Sequence, residues 1–128
     1  MEKEKMVVRF KDKSLLKGSA IDFSPKKTIF HLKLHNGGIV KVDVEKLKAA
    51  FLVKTFDGDK NYKYKYKDVL PWGGKKIRVE FIDGEVIIGY IPHHLNFERG
   101  FFMTPADTGG NNKEVFVVSS ATREITYL

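Results

Sequence analysis

Four histidines, one adjacent pair of serines and one alternating run of tyrosine and lysine are the residues of this chain whose types and spacing could do chemistry. His31 and His35 stand four apart. On an extended chain rising about 3.3 Å per residue they share a face but lie about 13 Å from each other, too far for one metal ion. His93 and His94 are adjacent and point to opposite faces if extended. A metal site would need residues from separate parts of the chain, and nothing in the spacing specifies one. Ser119, Ser120 and Asp43 combine with a histidine into a triad on paper only. There is no nucleophile elbow and no glycine-rich phosphate loop. Gly37-Gly38, Gly73-Gly74 and Gly109-Gly110 read as turns. The chain has no cysteine, which excludes thiolate and redox chemistry. The expectation is a non-enzyme with no catalytic residue, no metal and no cofactor.

Binding chemistry is better represented. Tyr62-Lys63-Tyr64-Lys65-Tyr66-Lys67 alternates strictly, so a strand would carry three tyrosines on one face and three lysines on the other. Aromatic faces stack on bases and lysines neutralise phosphates, which makes Tyr62, Lys63, Tyr64, Lys65 and Lys67 candidates for nucleic-acid binding. The same pattern suits an edge strand with its tyrosines packed inward and its lysines in water, guarding against edge-to-edge aggregation. Lys11, Lys13, Lys26 and Lys27 fall in loops. Of these, Lys11, Lys26 and Lys27 join the phosphate-contacting candidates, although such lysines are more often plain solvated residues. Trp72, flanked by Pro71 and Gly73, is either a partner anchor or a cover over a seam inside the molecule.

The charge balance supports both readings of these lysines. The 128 residues carry 23 Lys and Arg against 16 Asp and Glu, a net charge of +7. Residues 1–53 have 12 basic and 6 acidic groups, net +6; residues 54–75 are net +3; residues 76–128 are net −2. A basic half beside a mildly acidic one is an electrostatic footprint for a polyanion, or simply a lysine-rich solvated surface. No run approaches the ~20 apolar residues of a membrane helix. The opening Met1-Glu2-Lys3-Glu4-Lys5 has no apolar stretch of signal-peptide type. A cytoplasmic protein without a membrane partner is expected.

The elements that position these residues come from an internal repeat. Val8-Arg9-Phe10-Lys11-Asp12 matches Val79-Glu80-Phe81-Ile82-Asp83 at an offset of 71, and the match continues ungapped to Leu32. Leu47–Phe51 then resembles Ala121–Ile125 at an offset of 74. Each copy alternates apolar and polar residues in the manner of half-buried strands. Asp83-Gly84 is a tight-turn pair, with Asp12-Lys13 in its place in the first copy. The second strands, Ser14–Phe23 and Glu85–Ile91, each hold an interior glycine, Gly18 or Gly89, which marks a bend. Third strands are expected at Thr28–Leu34 and Gly100–Thr104, fourth strands at Gly38–Val44 and Val115–Val118, and last strands at Ala50–Phe56 and Glu124–Leu128. One 3₁₀ turn precedes each last strand, at Glu45–Leu47 and Ser119–Ala121.

Five short strands with a bent second strand resemble the Sm-like and Src-homology-3-like small barrels. Val8-Arg9-Phe10-Lys11-Asp12, then Leu16-Lys17-Gly18 and Asp22, are similar to the opening half of the Sm sequence motif, which in that family supplies strands of an RNA-binding ring protein. The family's base-holding asparagine is replaced here by Lys26-Lys27-Thr28. Its second motif is replaced by Val42-Asp43-Val44-Glu45 and Val117-Val118-Ser119-Ser120. The resemblance therefore carries the fold without the RNA pocket. Gly100–Asp107, with Asn111-Asn112 and Val115-Phe116-Val117, resembles a segment of uncharacterised bacterial domains, which implies a bacterial family and no activity. The expected architecture is all-β: two tandem five-stranded small barrels, residues 1–53 and 76–128, packed together and joined by an extended segment, 54–75. The expected role is a non-catalytic binding or adaptor module, with nucleic-acid binding as the alternative. Its partner would be a protein or a nucleic acid, with a homo-oligomer formed through barrel edges.

Overall fold

The structure, a computed structural model, describes residues 4–57, 74–92, 99–107 and 109–128. The Tyr62–Lys67 run, Trp72, His93 and His94 lie outside these residues.

The alternation of apolar and polar side chains turns into strands in both copies. The first copy supplies β1 (Lys5–Phe10), β2 (Leu15–Ala20), β3 (Ile29–Leu34), β4 (Ile39–Asp43) and β5 (Leu47–Val53). The second supplies β6 (Lys75–Phe81), β7 (Val86–Ile91), β8 (Gly100–Pro105), β9 (Asn112–Val118) and β10 (Thr122–Tyr127). A single 3₁₀ turn precedes each last strand, at Val44–Lys46 and Ser119–Ala121. The first of these starts one residue earlier than the sequence suggests. Its cap is the reason: the Asp43 side chain accepts from the Glu45 N–H, the local bond that favours aspartate at such starts.

All the strands pair antiparallel, in the order β10-β6-β7-β8-β9-β5-β1-β2-β3-β4. Each copy has the same internal order, its fifth strand against its first and its fourth strand at the far end. The pairing runs as one open ten-stranded sheet, in place of the two separately closed barrels expected. The edge of β5 that closure would use is occupied by β9 of the other copy.

The repeat is legible in the registers. Met6↔Gly18 and Val8↔Leu16 in the first copy correspond to Ile77↔Gly89 and Val79↔Ile87 in the second, at the offset of 71. Beyond the third strand the structural offset is 75, not 74. The β1–β5 register passes from Arg9↔Ala49 to Phe10↔Leu47 and skips Lys48. The β6–β10 register passes from Glu80↔Glu124 to Phe81↔Thr122 and skips Arg123. Both last strands therefore carry a bulge with a basic residue at the same place, and a bulge adds local twist.

Gly18 and Gly89 sit where the second and third strands cross closely. A Cβ on Gly18 would stand 2.1 Å from the Lys33 carbonyl oxygen, and one on Gly89 would stand 2.5 Å from that of Thr104. Only glycine allows this approach.

Two cores form on opposite faces of the sheet. Met6, Val8, Phe30, Leu32, Val42 and Leu47 fill the first copy's core. Ile77, Val79, Phe81, Ile91, Phe101 and Met103 fill the second's. The seam strands feed both. From β9, Val115 and Val117 enter the second core while Phe116 and Val118 enter the first. From β5, Ala49, Phe51 and Val53 enter the second core while Leu47 and Ala50 enter the first. A strand buried on both faces reads as a continuous apolar run, which is what Ala49-Ala50-Phe51-Leu52-Val53 and Val115-Phe116-Val117-Val118 are.

Candidate functional site

The seam pairs Ala49↔Val117, Ala50↔Phe116, Phe51↔Val115 and Leu52↔Glu114. Side chains extend it at both ends. Asn111 accepts from the Thr55 N–H at 3.0 Å and donates to the Thr55 carbonyl at 2.9 Å. Lys113 donates to Glu4 at 3.0 Å. Across the other end, the largely buried Lys48 ammonium meets Asp83 at 2.7 Å and bonds Glu85. It also stands 4.8 Å from the centre of the Phe81 ring. The Lys48 ammonium, with the Glu85 N–H behind it, holds the Asp83 carboxyl below its ordinary range.

Of the predicted phosphate-binding residues, Lys11, Lys26 and Lys27 are among the described ones, and Lys11 and Lys26 have contacts across the two copies. Lys11, in the β1–β2 turn, donates from Nζ to the Glu45 carbonyl and to Ser120 Oγ, both at 2.7 Å. Arg99, just before β8, donates to the Lys26 carbonyl at 3.0 Å. The Arg99 carbonyl in turn accepts from the Ser119 N–H at 3.0 Å. The Ser119–Ser120 step thus lies between Lys11 on one side and Arg99 with Lys26 on the other. Lys26 and Lys27 are exposed, and Lys27 Nζ is 3.9 Å from Asp22.

Behind the Lys26-Lys27 loop is a cluster of four phenylalanines. Phe23 meets Phe30, Phe102 and Phe116 edge to face at centroid distances of 5.1, 5.8 and 5.1 Å. Phe23 and Phe102 are only half-buried, so the cluster has an open side. Sequence reasoning missed Arg99 and this cluster, because each joins residues from different copies.

Among the described residues, His31, His35, Ser120 and Asp43 each have separate partners. Asp22 accepts from the His31 N–H at 2.6 Å and faces His31 Nδ1 at 2.9 Å. These two bonds are the leading cause of the lowered Asp22 carboxyl, and they clamp the β2–β3 loop. His35 lies against the Phe56 ring at 5.2 Å. Ser120 receives the Lys11 ammonium, and Asp43 caps a 3₁₀ turn. Among the described residues no group of three or more metal-ligating side chains is assembled. Nor is any helix among them long and apolar enough to cross a membrane.

The second feature with binding capacity is the pair of sheet ends. Among the described residues, β4 and β10 each have one strand neighbour. Exposed apolar residues mark both ends: Ile39 is 60% exposed on β4, and Tyr127 and Leu128 are 56% and 63% exposed at β10. The outward backbone groups can be assigned. Leu34 N–H bonds the Gly38 carbonyl and Val44 N–H bonds that of Thr28, so the even-numbered residues of β4 face β3. Ile39, Lys41 and Asp43 then turn their N–H and C=O groups outward. Leu128 N–H bonds the Lys76 carbonyl, so Ile125 and Tyr127 turn theirs outward on β10.

An all-β chain of two seamed five-stranded repeats is the class that this fold defines. The chain belongs to a family of unknown function, DUF6982, whose model matches residues 2–128. No curated protein and no solved structure matches it significantly.

Proposed function

We propose that the protein is a non-catalytic binding module that takes an extended polypeptide strand onto the open ends of its sheet. The observation that carries this reading is that, among the described residues, β4 and β10 each have one strand neighbour, with outward backbone groups beside exposed Ile39 and Tyr127. Main-chain bonds to such an edge supply affinity, and alternate side chains supply selectivity. The small-barrel kinship belongs to this reading, since each five-strand run has the order of such a barrel, opened at the seam. A random-peptide display library panned on the full chain tests it, with hydrogen exchange on the selected peptide's complex. Selected peptides that slow exchange in β4 or β10 support the reading. Peptides that protect neither edge overturn it.

A second reading, nucleic-acid binding, has its own observation: Lys11 and Arg99 bond across the two copies, Arg99 to the exposed Lys26-Lys27 loop, and the rings of Phe23 and Phe102 are half-buried. Cations for phosphates next to aromatic faces are what single-stranded nucleic acid requires. Fluorescence anisotropy with labelled single-stranded RNA and duplex DNA across a salt series decides it. Binding whose log affinity falls steeply with log salt, and whose slope drops by about 1 for each of Lys11→Ala, Lys26→Ala and Lys27→Ala, supports it. No binding at low salt removes it.

A further inference from the structure

The seam inside the chain is a joint between the last strand of one repeat and the fourth strand of the next. Among the described residues, the same two parts stand at the ends of the sheet with one strand neighbour each. β10 is the last strand of the second repeat, and β4 is the fourth strand of the first. The geometry points to a second copy of this chain as the strand partner of these ends, with β10 of one copy pairing antiparallel against β4 of the next. This rests on the strand-recruiting reading above and names its partner.

The seam fixes the register. Moving each seam pair by the structural offset of 75 carries Ala49↔Val117 to Glu124↔Val42, and Ala50↔Phe116 to Ile125↔Lys41. It likewise carries Phe51↔Val115 to Thr126↔Val40, and Leu52↔Glu114 to Tyr127↔Ile39. The backbone agrees. Ile125 and Tyr127 have their hydrogen-bonding groups turned outward on β10, and their assigned partners Lys41 and Ile39 have theirs turned outward on β4. A slip of one residue would set outward groups against inward ones. The joint would cover two of the most exposed large apolar side chains, Tyr127 and Ile39, with each other.

Charge points the same way. The joint sets the second repeat, net −2 over residues 76–128, against the first repeat, net +6 over residues 1–53. A joint between like ends would set two basic or two acidic repeats together. Opposite-sign surfaces steer the head-to-tail contact and disfavour the symmetric ones.

The joint is weaker than the seam for a reason visible in the side chains. Phe116 and Ala49, both buried at the seam, are replaced at the ends by exposed Lys41 and Glu124. Assembly is therefore reversible and concentration-dependent. A contact between two different surfaces continues until it closes into a ring or runs on as an open array.

Sedimentation velocity on the full chain, across concentration and salt, tests this. Wild type is expected to gain mass above 14.7 kDa with concentration and to lose it with salt. Lys41→Pro removes an outward N–H from β4, and Tyr127→Pro removes one from β10. Each variant alone should stay at 14.7 kDa, and an equimolar mixture should stop at twice that mass, since one open β10 meets one open β4. Should either proline variant lose its circular dichroism, side-chain variants take its place. Ile39→Lys with Tyr127→Lys puts like charges opposite each other and should give monomers, whereas Ile39→Lys with Tyr127→Glu should restore assembly. A wild type that stays monomeric at every concentration overturns the proposal, as does a single-edge variant that assembles as fully as wild type. If display-selected peptides still protect β4 or β10 in that monomer, the strand-recruiting reading survives and only the identity of the partner fails.

Discussion

The seam and the two sheet ends occupy the same positions of one repeat, and although Val40 and Val42 match Val115 and Val117, most of the other side chains differ. On β5, Ala49, Phe51 and Val53 are buried; 75 residues later, Glu124 and Thr126 on β10 and Leu128 just past it are exposed or half-exposed. On β9, Phe116 and Val118 are buried; on β4 their counterparts are Lys41 and Asp43. The backbone plan is shared, and the difference lies in what each edge faces. A permanent joint has apolar residues on both faces of both strands. An edge that meets water part of the time keeps charges there, which limits indiscriminate pairing.

The sharpest way to break this comparison is to cut equivalent positions. Phe116→Ala empties a fully buried site at the seam and should cost about 3–5 kcal/mol of unfolding free energy in guanidinium titrations. Lys41→Ala, at the matching place on β4, should change stability by less than about 0.5 kcal/mol. Equal costs would mean that the two edges are not environmentally distinct.

The Lys48 cluster gives a smaller effect. Lys48 is largely buried while its partners Asp83 and Glu85 keep 36% and 50% side-chain exposure. Lys48→Met should therefore cost about 1–2 kcal/mol, between the values for exposed and fully buried pairs. Arg123→Met, the same bulge position on β10, should cost less, because Arg123 is exposed while it bonds Glu80 and the Ile82 carbonyl.

The same cluster predicts a pH dependence. Asp83 is held below its ordinary range in the folded chain. It therefore binds protons more readily when unfolded, and stability contributed by its ionised form is present above the unfolded value of about 3.9. That contribution is lost as pH falls through the lowered folded value. Acid titration of wild type and Asp83→Asn should show a shallower loss of stability below about pH 4 in the variant. Parallel curves would remove Asp83 from the account.

The smallest effect compares the two first turns. Gly84 has φ +93°, and its counterpart Lys13 adopts φ 77°. A lysine in the left-handed region carries about 1–2 kcal/mol of strain, partly offset by the greater freedom of glycine in the unfolded chain. Lys13→Gly should raise stability by about 0.5 kcal/mol, visible as a rise in Tm of a few degrees.

How much of this was legible in the sequence follows from which interactions are local. Val8 and Phe10 alternating with charged neighbours, Asp83-Gly84, and the interior Gly18 and Gly89 act within one strand or turn, and their strands stand close to where the pattern puts them. The sequence offset of the second half, 74 against the structural 75, comes out one residue short because Ala49–Val53 is a continuous apolar run with no alternation to fix its register. The seam was not legible as a pairing. The apolar runs Ala49–Val53 and Val115–Val118 announce burial on both faces, but no local pattern says that they bury each other. For the same reason Lys11 could be read as a free loop cation, although its ammonium reaches Ser120, 109 residues away. Arg99, reaching the Lys26 carbonyl across the copies, had no local signal at all.

The central claim is that one strand plan makes a closed joint at β5–β9 and open joints at β4 and β10. Amide hydrogen exchange of the full chain, at low and at high protein concentration, tests it most directly. Slow exchange is expected in β5 and β9 at every concentration. Ile39, Lys41, Ile125 and Tyr127 should exchange fast when dilute and gain protection as concentration rises. Fast exchange throughout β5 and β9, or protection of those four amides in the dilute monomer, would contradict it.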